Sequence, residues 1–170
     1  EDQPSVKVLY KAKGLASPEA YILDITPKGV TIKTLSEAGE FYARQTLRQM
    51  TADGKVKEIR CCRITDAPRF PYRGLHFDVS RHFRSVDFLK KQMDAMAFFK
   101  MNRMHIHLTD AAGWRLQIDT YPRLTGFAAW RPQRTWKEWW AGDRHYAEEG
   151  SAGAYGGYYT KDDIRELLAY

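Results

Sequence analysis

The sequence predicts an α/β fold: part of an α+β domain with an antiparallel sheet and a covering helix, followed by the start of a closed βα barrel. Three observations carry this expectation. Between Tyr21 and Ile64 the patterns run strand, strand, helix, strand, the order of a helix laid on one face of a sheet. From Arg73 to Thr109 they run strand, helix, strand, so these two strands should be parallel with a right-handed crossover. Both of the later strands turn apolar residues one way and His76, Asp78, His105 and His107 the other. An open doubly wound sheet would be apolar on both faces, whereas the lumen of a barrel accepts a polar one.

Taken in order, Val6–Tyr10 reads as a short strand. Tyr21–Ile25 and Val30–Thr34 alternate with period two and are joined by Thr26-Pro-Lys-Gly29. Pro27 presets φ there and Gly29 can take φ > 0, so the pair is a hairpin. Ser36 is the expected N-cap of a helix running through Met50, with Glu37 and Glu40 at its positive end. Gly39, Ala43, Leu47 and Met50 recur at helical spacing, and the small residues permit close approach to a sheet. Thr51-Ala-Asp-Gly54 ends the helix, and Val56–Ile64 is expected as another strand. Asp66-Ala-Pro-Arg-Phe-Pro71 reads as the linker, because its two prolines favour extended backbone. The domains are therefore placed at 1–68 and 69–170.

Beyond the linker, Arg73–Val79 is expected as a strand with Leu75, Phe77 and Val79 on one face and His76, Asp78 and Ser80 on the other. Ser85 caps a helix from Val86 to Lys100 whose apolar stripe is Val86, Leu89, Met93 and Met96. The next strand, 103–109, sets Met104, Ile106 and Leu108 against Arg103, His105, His107 and Thr109. Asp110 stands at its carboxyl end, where α/β folds place their chemistry. A long aromatic connection leads to a last helix, capped by Thr160 with Asp163 three residues on. Ile164, Leu167 and Leu168 are its expected buried side.

Composition excludes some partners. The chain has 170 residues and a net charge of +6, but its Lys and Arg are scattered. That pattern is a solvated, mildly basic surface rather than a nucleic-acid footprint. No apolar run is long enough to span a membrane. Cys61 and Cys62 are neighbours; in a strand they face opposite ways, so no bridge is expected, but one buried and one half-exposed thiol.

Several long stretches carry a resemblance. Arg73-Gly-Leu-His-Phe-Asp-Val-Ser-Arg-His-Phe83, His105-Ile-His-Leu-Thr-Asp110, Gly113-Trp-Arg115 and Tyr121-Pro-Arg-Leu124 resemble the start of the catalytic domain of family 20 glycoside hydrolases, the β-N-acetylhexosaminidases. Ile25-Thr-Pro-Lys-Gly-Val30 and Ala38-Gly-Glu-Phe-Tyr-Ala-Arg-Gln-Thr-Leu47 resemble the later part of the small α/β domain that precedes it. Gly156-Gly-Tyr-Tyr-Thr-Lys-Asp-Asp-Ile-Arg165 resembles the approach to the second barrel helix.

The resemblance implies a (β/α)8 TIM barrel, of which this chain holds the first two βα units. It also implies an exo-acting retaining hydrolase of terminal β-linked N-acetylglucosamine or N-acetylgalactosamine. In that family the substrate's own acetamido oxygen is the nucleophile, an exception to the two-carboxylate scheme. The family's Asp-Glu pair, with Glu as general acid, follows the fourth strand, beyond Tyr170, so the segment alone is expected to be inactive and to need the rest of the barrel. Arg81 matches the arginine that binds the outer hydroxyls of the sugar. Asp110 matches the carboxylate that holds a histidine of the next strand, which in turn touches the acid. Many members carry a second Asp where this chain has Ala111. No cofactor and no metal are implied; the partner is an N-acetylhexosamine-terminated glycan, and export from the cytoplasm is what the family suggests.

Other readings of the same residues stand beside this one: Arg81 as the ion-pair partner of a neighbouring carboxylate, and Asp110 as a loop-capping residue. His76, Asp78, His105 and His107 fit a mutually satisfied inner network. His105-Ile-His107 could instead serve a metal-dependent barrel hydrolase. A non-catalytic sugar-binding fragment is a third reading. Trp114 reads as packing under its loop. The aromatic residues from Phe127 to Tyr159 could border a sugar or staple a long loop to itself.

Overall fold

The computed structural model describes residues 5–56 and 58–170. They form two compact units, one reaching to Arg73 and including Met96–Asn102, the other made of Gly74–Ala95 and Arg103–Tyr170.

The first unit is a four-stranded sheet under one helix. Strands β1 (Val6–Tyr10), β2 (Tyr21–Thr26), β3 (Gly29–Thr34) and β4 (Cys62–Asp66) lie in the order β1-β3-β2-β4. The hairpin β2–β3 is antiparallel, as is β2–β4, but β1 runs parallel to β3. The sheet is thus mixed rather than purely antiparallel. Helix α1 (Glu37–Met50) is capped by Ser36, whose hydroxyl accepts from the Gly39 N–H. It packs Tyr42 and Ala43 on Tyr21, Leu23, Ile25, Val30 and Ile32, with Leu47 and Met50 at the margin. Gly39 is required by this approach: a Cβ there would lie 2.0 Å from Thr34 Oγ1 and 2.6 Å from the Ala20 carbonyl.

β4 starts later than the expected strand at Val56–Ile64. Its register pairs Cys62 with Ile25, and the next residue of β2, Thr26, already belongs to the tight turn to Gly29. No straight backbone remains for residues 58–61 to pair with; position 57 lies outside the described residues. Asp66, expected in the linker, is the last residue of the strand. At this end of β4 neither thiol is buried: Cys61 is exposed, and Cys62 is half-buried at the rim of the core. Two ion pairs close the unit's polar edge. Arg73 meets Glu19 at 2.9 Å, and Lys100 meets Asp66 at 2.8 Å and the Tyr21 hydroxyl at 2.7 Å.

The second unit is built on two parallel strands, β5 (Gly74–Asp78) and β6 (Arg103–His107), in register from Gly74↔Arg103 to Asp78↔His107. Helix α2 (Val86–Phe98) begins after Ser85, whose hydroxyl accepts from the Phe88 N–H. Val79, Leu89, Tyr159 and Leu167 form the buried centre, with Phe77, Met93, Met104, Ile106 and Ile164 around them. Each such large apolar side chain contributes about 1.5–3 kcal/mol when fully buried. Leu75 and Leu168, expected inside, are 40% and 83% exposed. Leu168 follows Leu167 by one residue, 100° around helix α5 (Lys161–Ala169), and so leaves the buried stripe.

The strand expected at 103–109 stops at His107. Thr109–Asp110 (β7) turns back on Gly113–Trp114 (β8) in a small antiparallel pair. Ala112 takes φ +76° in that turn. The aromatic connection is not one loop: it holds α3 (Arg123–Gly126), β9 (Trp130–Arg131), α4 (Trp136–Ala141) and β10 (Tyr155–Gly156), with β9 and β10 paired. Thr135 and Thr160 each close a full capping box, on α4 and α5.

Candidate active site

The polar face of β5 and β6 leads to one cluster at their carboxyl ends. Asp78 ends β5 and His107 ends β6, opposite each other in register. The chain after Asp78 turns so that the Arg81 N–H donates to Asp78 Oδ1 at 3.1 Å, and the Arg81 guanidinium returns to Asp78 Oδ2 at 3.0 Å. The other arm of the same guanidinium lies 2.6 Å from Asp110 Oδ2. His107 Nε2 lies 2.9 Å from that oxygen, and the Ala111 N–H donates to Asp110 Oδ1 at 2.7 Å. Arg81 and Asp110, the two residues singled out from the sequence, are therefore in direct contact at one rim.

Each partner is shaped by this contact. The Ala111 N–H, then His107 and the Arg81 charge, hold the Asp110 carboxyl below the usual carboxylate range. Asp110 is thus ionised at neutral pH and accepts only, so the His107 Nε2 carries the shared proton and the ring's orientation is fixed. Arg81 donates to Asp78 and is ion-paired with Asp110, and its side chain remains one-third exposed. It also lies over the Trp136 ring, 5.4 Å from guanidinium carbon to centroid. Trp136 in turn packs on Trp139 and Trp140, at 5.5 and 5.2 Å between centroids. The aromatic segment both staples itself and reaches the site through Trp136. Trp114 donates from its indole N–H to the Leu116 carbonyl at 2.6 Å, a packing role.

The expected inner network is only partly hydrogen-bonded. Asp78, Arg81, Asp110 and His107 form a chain, while His76 and His105 meet as rings, 4.5 Å between centroids. His76, His105 and His107 also form a group of three with one ring nitrogen each within 4.8 Å of the others.

Two buried arginines, to which the sequence reading gave no role, hold the site's backbone. Arg115 is fully buried and donates to the carbonyls of Val79 (2.8 Å), Ser80 (2.7 Å), Gly157 (2.9 Å) and Ala129. Arg131, also fully buried, donates to the carbonyls of Arg81 (2.7 Å), Ala112 (3.2 Å) and Gln133 (2.8 Å). One guanidinium thus ties the loop of Arg81 to the loop of Asp110. Gly113 makes room for this arrangement: a Cβ there would lie 2.2 Å from the Arg115 guanidinium and 2.6 Å from the Ser80 carbonyl. Ser80 completes it by donating from its hydroxyl to the Gly113 carbonyl at 2.8 Å.

A guanidinium held by two carboxylates, with an aromatic ring beside it, at the carboxyl end of parallel strands is an arrangement suited to a polyhydroxyl ligand. Residues 70–170 match the profile described as glycosyl hydrolase family 20, catalytic domain, and residues 2–67 match glycosyl hydrolase family 20, domain 2. The chain belongs to glycosyl hydrolase family 20. It is 39% identical over 154 residues to a beta-hexosaminidase of Akkermansia muciniphila, covering 89% of this chain and 28% of that protein. With a beta-hexosaminidase of Vibrio vulnificus it shares 38% over 170 residues, 97% of this chain and 19% of the other. The crystal structure of a beta-N-acetylhexosaminidase superposes with a TM-score of 0.78 at 35% identity, covering all of this chain and 34% of that one. A family 20 exo beta-N-acetylglucosaminidase of Vibrio harveyi, in complex with N-acetylglucosamine, gives a TM-score of 0.74 at 32% identity over 96% of this chain and 25% of that one. The chain spans about a fifth to a third of the length of these relatives. Among the described residues no helix is long and apolar enough to cross a membrane.

Proposed function

We propose that this chain is the sugar-gripping start of an exo-β-N-acetylhexosaminidase: the small α/β domain plus the first two βα units of a (β/α)8 barrel. The observation that carries the reading is the Arg81–Asp110 contact of 2.6 Å at the carboxyl ends of β5 and β6. Arg81 presents its remaining N–H fork to two vicinal hydroxyls of a terminal N-acetylhexosamine, a geometry a planar guanidinium matches and an ammonium does not. Asp78 and Asp110 hold that fork in place. Asp110 also orients a histidine contributed by the following strand, and that histidine supports the general acid.

In this mechanism the substrate's acetamido oxygen attacks the anomeric carbon as the glycosidic bond breaks. The acid protonates the departing oxygen, and water then opens the oxazolinium intermediate with net retention. The proton donor comes from outside these 170 residues, so they bind and position but do not complete the reaction. The test is product stereochemistry. The full-length protein is expected to release β-N-acetylglucosamine first from an aryl β-N-acetylglucosaminide, followed by proton NMR, and to leave the corresponding aryl β-glucoside intact. Hydrolysis of both, or release of the α-anomer first, contradicts the reading.

A further inference from the structure

From the geometry of its polar strand face we infer that this chain carries a three-histidine site for a borderline divalent transition-metal ion, formed by His76, His105 and His107. This goes beyond the glycosidase reading and does not depend on it.

The argument begins with the strands. His105 and His107 stand at i and i+2 on β6 and so share one face. His76 lies directly opposite His105 on the neighbouring parallel strand and shares that face. Two ligands come from one strand and one from the next, three protein ligands in all. That is the three-protein-ligand, one-water pattern of an open zinc site. One nitrogen from each ring already lies within 4.8 Å of the others. Ligands about 2.0–2.1 Å from a tetrahedral ion stand roughly 3.4 Å apart, so the widest gap closes by about 1.5 Å. A movement of that size is within the reach of ring rotation about the side-chain torsions.

The surroundings favour the same class of ion. Neutral imidazole suits zinc, copper and nickel and disfavours calcium and magnesium, which demand oxygen ligands. Asp110 bonds His107 Nε2, so Nδ1 is the nitrogen left for an ion, and carboxylate support of this kind commonly orients a metal-bound histidine and raises its basicity. Among the described residues, the His76 and His105 rings are engaged by ring contacts rather than by acceptors that would hold both nitrogens. The two other histidines lie elsewhere, His82 with Tyr155 and His145 with Asp143.

The test is calorimetric titration of the full chain with zinc chloride, with the visible absorption of added cobalt(II) as a report of nitrogen coordination. One equivalent is expected to bind. His76→Ala and His105→Ala should each weaken binding at least tenfold, and His145→Ala should leave it unchanged. His105→Gln, which keeps size and polarity, guards against misfolding: with wild-type circular dichroism it too should lose at least tenfold. Absent binding, or binding insensitive to both His76 and His105, or binding lost with His145, overturns the proposal. Glycosidase activity is not the readout, so failure of the hydrolase reading would leave this result standing, and the reverse.

Discussion

Replacing Arg115 by methionine should uncouple the loops that carry the site. The side chain keeps its volume but loses every donor. Four backbone carbonyls, of Val79, Ser80, Ala129 and Gly157, then lack the guanidinium. Among the described residues, only the Ala129 carbonyl has a second donor, the Gly157 N–H at 3.3 Å. An unsatisfied buried carbonyl costs about 1 kcal/mol at the low end, so three to four of them amount to about 3–4 kcal/mol. Burial and the neighbouring Arg131 charge pull the Arg115 pKa down to about 10, so the group is still charged at neutral pH and its bonds are charge-assisted. A loss of this size is a large share of the 5–15 kcal/mol that holds a typical domain. Urea unfolding followed by tryptophan fluorescence measures it selectively, because all five tryptophans lie between Trp114 and Trp140 in the second unit. Arg115→Lys keeps the charge and one cluster of donors and should recover about half of the loss. A methionine variant within about 1 kcal/mol of wild type would refute the carbonyl-clamp reasoning.

Other outcomes follow from the same geometry. Gly113→Ala should destabilise the second unit by about 2 kcal/mol or more in the same urea assay, since its Cβ would stand 2.2 Å from a guanidinium that cannot retreat. In the full-length protein, Arg131→Gln should raise KM for an aryl β-N-acetylglucosaminide about tenfold with a smaller fall in kcat, because the Arg81 and Ala112 carbonyls lose their shared anchor; an unchanged KM would count against that role. The first unit should weaken in acid. The hydrogen bond from Arg73 holds the Glu19 carboxyl below its ordinary value of 4.5. A lowered carboxylate pKa gives stability that is fully present above the unfolded value and lost as pH falls through the folded one. Thermal melts should therefore decline below about pH 4.5, and Glu19→Gln should flatten that decline; an unaltered acid limb contradicts the assignment.

What the sequence disclosed, and what it hid, has physical reasons. The hairpin at Thr26–Gly29 and the Ser36 and Thr160 caps were legible because each is set by residues a few positions apart, and the parallel pair β5–β6 because a strand-helix-strand order implies a crossover. The start of β4 was not, since it is fixed by where β2 runs into its turn, a partner some forty residues away. The break after His107 was hidden in the same way: period two continues through Thr109, but Asp110 pairs back on Gly113. At the site, Arg81 and Asp110 could be picked out by family motif and by position at the strand ends. Arg115 and Arg131 could not, because their partners are main-chain carbonyls, which leave no mark on the side-chain pattern. Trp136 was one of several aromatic candidates between Phe127 and Tyr159, and only the fold shows that it is the ring against Arg81.

The central claim is that Arg81, braced by Asp78 and Asp110, grips a terminal amino sugar. Its most direct test is the inhibition constant of free N-acetylglucosamine against the full-length protein and its Arg81→Ala and Arg81→Lys variants, each checked for wild-type melting. Two charge-assisted hydrogen bonds at about 1.5 kcal/mol each predict a loss of about a hundredfold or more for alanine. Lysine should recover little of it, having no planar fork. Well-folded variants that bind the sugar as tightly as wild type would contradict the account.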